Sequence, residues 1–135
     1  MANTEHLRRL RESIDAWNTW RVDHDEESID LVFADLTGTN LGGADLRKAN
    51  LTGADLSYAD LSMACLTGAE LIAAELIGAD LRQANLRGAD LSGANLSDAN
   101  LSDADLRDAD LRRVFLSGAD LSGANLQGAL LDKPL

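Results

Sequence analysis

The sequence predicts an all-β solenoid, a chain wound into stacked coils. Three regularities predict it. From Leu36 to Leu131 every fifth residue is leucine, twenty in succession. Alanine stands two residues before eighteen of those twenty, with Thr39 and Val114 the exceptions. Ten of the eleven glycines fall two residues after a leucine, from Gly38 to Gly128.

No common secondary structure has this period. On an α-helix five residues advance the side chain by about 140°, so the leucines would spiral round every face. On a straight strand five is odd, and successive leucines would alternate sides. A chain that bends once per repeat buries all of them. Each side then turns Leu and Ala inward and three residues outward. A type II turn needs positive φ at its third residue, which favours glycine. If each Leu opens a turn, the glycines land there. Coils stack about 4.8 Å apart through β-type backbone bonds. Each buried Leu contributes roughly 1.5–3 kcal/mol, so leucines replace the large rings that a chain with only 4% aromatics lacks. Periodicity leaves three or four sides open.

Stretches such as "ADLSGANL", "ADLRQANL" and "ANLTGADL" resemble the pentapeptide-repeat family, whose pattern is A(D/N)LXX. The residue before the central leucine is Asp, Asn or Glu in seventeen of the twenty repeats, the others being Cys65, Phe115 and Leu130. The resemblance covers Ala34 to about Lys133 and implies a right-handed, four-sided β-helix with twenty residues per coil. It gives five coils, 34–53, 54–73, 74–93, 94–113 and 114–133, with "IDLVF" (Ile29–Phe33) as a degenerate further unit.

The elements follow in chain order. Residues 1–28 read as a helical cap and an acidic loop, 29–133 as the β-helix, and 134–135 as a tail. An open coil exposes core and unpaired backbone, an aggregation hazard unless covered. Asn3 or Thr4 can N-cap a helix, and Leu7, Leu10, Ile14 and Trp17 form one apolar stripe with Trp20 beside it. That stripe is expected to lie over the first coil, and "AWNTWR" resembles the N-terminal helices of short cyanobacterial members of the family. At the other end, Phe115, Leu130 and Leu135 are expected to form a minimal cap or a dimer contact, Leu135 falling twenty residues after Phe115.

Composition excludes several functions. The net charge is −11 with a pI near 4.4, which argues against direct nucleic-acid or anionic-membrane binding. One cysteine, Cys65, permits no intrachain disulfide and fits a reducing cytoplasm. The N-terminal residues carry no apolar run of the kind a secretory signal needs. Catalysis is not expected. His6 and His24 precede the repeats, Cys65 has no repeat histidine to activate it, and a leucine-filled coil leaves no pocket. No cofactor is called for.

Outward positions sort into columns at steps of twenty. One reads Arg47, Thr67, Arg87, Arg107, Gln127; beside it run Asp45, Cys65, Asn85, Asp105, Asn125. These columns predict ion pairs between coils. In coil 4, Asp98, Asp103 and Asp108 take corners that elsewhere mostly carry Gly, and Arg113 takes the fourth. The substitution predicts a different turn type there. The three corners face different ways, so no calcium site is expected, since that ion needs six to eight converging oxygens. Tyr58, Ile72 and Ile77 occupy outward slots, with Met63 on the next face. Such an apolar cluster marks a contact site for an unidentified protein partner.

These features lead to a non-enzymatic scaffold or protein-interaction module, monomeric or weakly dimeric through the C-terminal end. The alternative comes from the family's quinolone-resistance branch, which resembles B-DNA and binds DNA gyrase. Residues 34–133 carry fifteen acids and eight bases. Five coils span about 24 Å, a length over which duplex DNA carries about 14 charges, so this rod, at net −7, reaches half that density. An ice-binding surface needs a flat array of threonines, but the column Thr37, Ser57, Ile77, Ser97, Ser117 has one.

Overall fold

Leucine and alanine point inward from four sides. In the computed structural model, which describes residues 1–135, backbone bridges join Asp30 to Asn50, Asp35 to Asp55, and so on to Asp110 with Leu130, each partner twenty residues on. Four repeats therefore make one coil. From Leu36 to Leu106 the central leucines have essentially no exposed surface, and they belong with the alanines to one cluster of 35 buried residues.

A repeat that carries Asp or Asn before its leucine, within the middle coils, places all of its backbone amides. In Ala89–Gly93, Ala89 N donates to Leu86 O across the turn (3.0 Å). Asp90 N donates back one coil to Ala69 O (2.9 Å), while Leu91 N and Gly93 N donate forward to Asp110 O (2.8 Å) and Arg112 O (3.0 Å). The remaining amide, Ser92 N, donates to the Asp90 side chain at Oδ1 (3.0 Å). The same side-chain bond recurs at every Asp and Asn before a central leucine, for example Thr52 N to Asn50 and Arg87 N to Asn85. This bond is the physical reason for the Asp/Asn preference before the leucine: a longer or apolar side chain leaves that amide without its local acceptor.

The corner conformation is uniform. The ten corner glycines have φ of 65–76°, and the ten other corner residues have φ of 56–61°. The distinct turn type expected for coil 4 is not present: Asp98, Asp103 and Asp108 have φ of 59°, 60° and 61°. The cause is the ladder. Asp98 N donates to Ser117 O at 2.8 Å, so the corner amide is held by its neighbour coil whatever the side chain. Aspartate is among the few residues that enter the left-handed region readily, and no β-branched residue stands at any of these corners.

Two helices precede the coils, α1 (Thr4–Glu12) and α2 (Ile14–Asp23). Asn3, not Thr4, is the N-cap of α1, its side chain accepting from Glu5 N and His6 N. The apolar stripe is broken at Ser13, which is extended (φ −166°, ψ 152°) and caps α2 by accepting from Ala16 N. Leu10 and Trp17 are buried, while Leu7, Ile14 and Trp20 are partly buried against the same core.

At the C-terminal end Val114, Leu116, Leu121, Leu126 and Leu131 are only partly buried. The amides of Leu116, Gly118, Leu121 and Gly123, whose counterparts in earlier coils donate forward, have no backbone partner.

Candidate functional site

The helices meet the first coil through polar groups as well as apolar ones. Trp17 Nε1 donates to Asp45 O (2.8 Å) and Arg11 to Asp35 O (2.6 Å). Asn18 donates to Gly43 O (3.0 Å) and accepts from Asp45 N (2.8 Å). Arg21, buried without a carboxylate partner, donates to His24 O (2.6 Å) and Arg47 O (3.3 Å). Buried His6 accepts from Asp30 N at Nδ1 (3.1 Å) and meets Glu27 through Nε2 (3.1 Å). In later coils the counterparts of these edge groups, Gly43 O excepted, pair with the preceding coil, as Cys65 N does with Ala44 O. Sequence reasoning missed Arg11, Asn18, Arg21 and His6, because each meets the coil through backbone atoms, which leave no trace in residue type.

On the coil surface the ion pairs differ from expectation. Arg47 pairs with Asp45, Arg82 with Asp80, Arg107 with Asp105 and Arg112 with Asp110, each within one coil and two residues apart, at 2.6–2.7 Å. Across coils the one pair is Arg87 with Asp108, at 3.8 Å. The turn explains this: it holds the Arg backbone at the carboxylate, since Arg82 N and Nε both reach Asp80 Oδ1. Hydrogen bonds from the guanidinium hold Asp45, Asp80, Asp105 and Asp110 below the usual carboxylate range. Hydroxyls from Thr37 and Ser122 do the same for Asp35 and Asp120.

The apolar residues concentrate on two adjacent corners. Phe33 and Ile72 occupy adjacent positions in the turns of one corner, Tyr58 and Ile77 in those of the next. Phe33 and Tyr58 are about 70% exposed and Ile72 is 37% exposed, while Ile77 is partly covered. The Tyr58 ring lies over Gly78 and the Phe33 ring over Gly53, one coil on in each case. Met63, 67% exposed, stands on a third corner beside Arg82 and Gln83 and does not join them. Phe33 was not among the residues singled out from sequence, because it sits in the degenerate first unit. Phe115, Leu130 and Leu135 are exposed at the C-terminal end, where Phe115 and Leu135 line a cavity of about 400 Å³ with Leu111, Leu116 and Leu131. No three His, Cys, Asp or Glu side chains converge as a metal site, and neither helix is long and apolar enough to cross a membrane.

A family model described as pentapeptide repeats matches residues 29–68, 64–103 and 99–133. No curated protein matches the sequence. Among solved structures, the chain is similar to HetL, a protein involved in heterocyst differentiation regulation from the cyanobacterium Nostoc sp. strain PCC 7120 (39% identity, TM-score 0.61, 75% of this chain and 53% of HetL). The chain thus spans about half of HetL's length. It is similar to a protein of the Arabidopsis thaliana thylakoid lumen (37% identity, TM-score 0.57, 75% of this chain and 68% of that one). It is also similar to QnrB1, a plasmid-mediated fluoroquinolone resistance protein (29% identity, TM-score 0.53, 76% of this chain and 60% of that one).

Proposed function

The chain belongs to the pentapeptide-repeat family, whose members are right-handed quadrilateral β-helices, and from that premise we propose that it is a non-enzymatic, cytoplasmic scaffold that binds another protein through its coil surface. The two N-terminal helices close one end of the rod. The contact edge is Tyr58, Ile72 and Ile77, with Phe33 added on the Ile72 corner; Met63, on a third corner, stands apart from it. One observation carries this reading: large apolar side chains cluster on adjacent corners of a surface whose other outward positions are mostly polar or small. The similarity to HetL, which takes part in a regulatory process, agrees with an interaction role.

The similarity to QnrB1 favours a second reading, a DNA mimic that binds DNA gyrase or another topoisomerase. Its difficulty is charge. Four aspartates are closed by an arginine two residues on, which breaks up the anionic surface that a duplex presents.

The test is affinity capture from lysate with the wild type and an Ile77→Asp variant, followed by mass spectrometry. The contact-edge reading expects a specific partner that the variant loses. Recovery of a topoisomerase by both proteins favours the DNA mimic instead.

A further inference from the structure

Two repeats depart from the others in the same way. In "AELIAAELI" (Ala69–Ile77) the residue before the leucine is Glu and the residue after it is Ile. Every Asp and Asn at that position in the coils spends one oxygen on the amide two residues on, as Asp55 does for Ser57 N and Asp80 for Arg82 N. Glu70 and Glu75 make no such bond, and their exposed carboxylates are in no ion pair. The change thus forgoes a local turn bond and frees two carboxylates beside two outward isoleucines.

The surroundings are one-sided. Glu75 stands on the flat face between the Ile72 corner and the Ile77 corner, and Glu70 lies just round the Ile72 corner. Asp55 is bridged to Glu75 in the next coil, so like charges sit side by side, an arrangement that is destabilising by itself. No cation relieves it. Arg47, Lys48, Arg82, Arg87 and Arg107 stand on the other two corner columns, and Arg112 and Arg113 are two coils further along. Arg11 of α1 meets this face only at its N-terminal end, at Asp35.

We infer that this face takes a basic segment carrying apolar side chains, such as one face of a Lys/Arg-rich amphipathic helix. Its cations meet Glu75, Asp55 and Glu70, and its apolar residues pack against Ile72, Ile77 and Tyr58. Charge complementarity selects this occupant: an apolar edge whose face carries acids and no cation in these coils repels an acidic partner, including a second copy of this chain, at net −11. The inference rests on the contact edge proposed above and adds the chemistry of what it holds.

The experiment is fluorescence anisotropy at physiological salt with a labelled Lys/Leu amphipathic helical peptide and its Glu/Leu counterpart. The Lys/Leu peptide is expected to bind and the Glu/Leu peptide not to. Glu70→Gln with Glu75→Gln should weaken binding about tenfold, while the charge-matched pair Asp103→Asn with Asp108→Asn, on the two other corners, stays within about twofold. Ile72→Ser with Ile77→Ser should weaken it comparably, with circular dichroism confirming the fold. No binding of the Lys/Leu peptide, or equal losses from the two charge pairs, overturns the inference. Loss in the isoleucine pair alone overturns the basic chemistry and leaves the contact edge standing. No loss in either the isoleucine or the glutamate pair removes both.

Discussion

The Tyr58 ring fills the space that a β-carbon on Gly78 would need. An added Cβ would stand 2.6 Å from Tyr58 Cε1 and 2.7 Å from Cδ1. At Gly88, which has a similar φ of 69°, nothing lies within 4 Å. Gly88→Ala should therefore cost only the left-handed backbone penalty, about 1–2 kcal/mol. Gly78→Ala should cost more, because the ring must also move. Adding Tyr58→Ala to Gly78→Ala should bring its cost down to that at Gly88. Urea unfolding of the double-mutant cycle checks this; equal costs at Gly78 and Gly88 would contradict it.

The uniform corner predicts which substitutions coil 4 accepts. Asp103→Asn should be nearly neutral, since asparagine enters the left-handed region as readily as aspartate. Asp103→Val should cost about 1–2 kcal/mol, because a β-branched side chain is strained at φ near 60°. Thermal unfolding of the two variants distinguishes them.

Turn bonding predicts a gain. Glu75→Asp restores an acceptor of the right length for Ile77 N and should stabilise by about 0.5–1.5 kcal/mol. Asn85→Ala removes the acceptor for Arg87 N, now 3.1 Å away, and should destabilise by a similar amount. If Glu75→Asp also weakens partner binding, stability and contact are in opposition at that residue.

Acid should weaken the fold through the arginine-closed aspartates. Their folded pKa values are lowered, so their contribution is complete above the unfolded value of about 3.9 and is lost as pH falls through the lower folded values. Replacing Asp80, Asp105 and Asp110 together by Asn keeps the acceptor for the turn amide and removes the titrating charge. The triple variant should lose less stability between neutral pH and pH 3 than the wild type. Urea midpoints across that range provide the measurement.

The N-terminal contacts predict a graded series. Trp17→Phe keeps most of the buried ring and strands Asp45 O, costing about 1–3 kcal/mol. Trp17→Ala should cost about 3–5 kcal/mol. Hydrogen exchange should then show the first coil opening before the middle of the rod, as expected when stability passes between neighbouring repeats.

What the sequence disclosed depended on where each interaction lies. The buried leucines and alanines repeat at one spacing, so the solenoid and its core were legible from periodicity, and the glycines marked the corners. The number of sides was not, because Leu36 and Leu56 are stacked by hydrogen bonds between backbones, which every residue type can make. The corner conformation of Asp98 was misjudged for the same reason: a ladder bond outweighs local preference. The column reading places the partner of Arg107 in another coil because columns align coils, while the turn itself delivers Asp105 at 2.6 Å. The apolar edge of Ile72 and Ile77 was visible as a break in pattern, but the bonding role of Asp and Asn, against which the two glutamates stand out, needed atomic distances.

The twenty-residue coil built from interchangeable five-residue units has an evolutionary consequence. Deleting one unit leaves the core unchanged, since another Leu and Ala slide into place. Yet every residue downstream moves a quarter turn to the neighbouring side. Such a deletion between Tyr58 and Ile77 would carry Ile77 away from Tyr58 without any loss of packing. The protein is therefore like a combination lock, whose dials turn freely in fixed clicks. A lineage can scramble or rebuild its recognition surface through indels that barely touch its stability, and only steps of a whole coil preserve an existing partner.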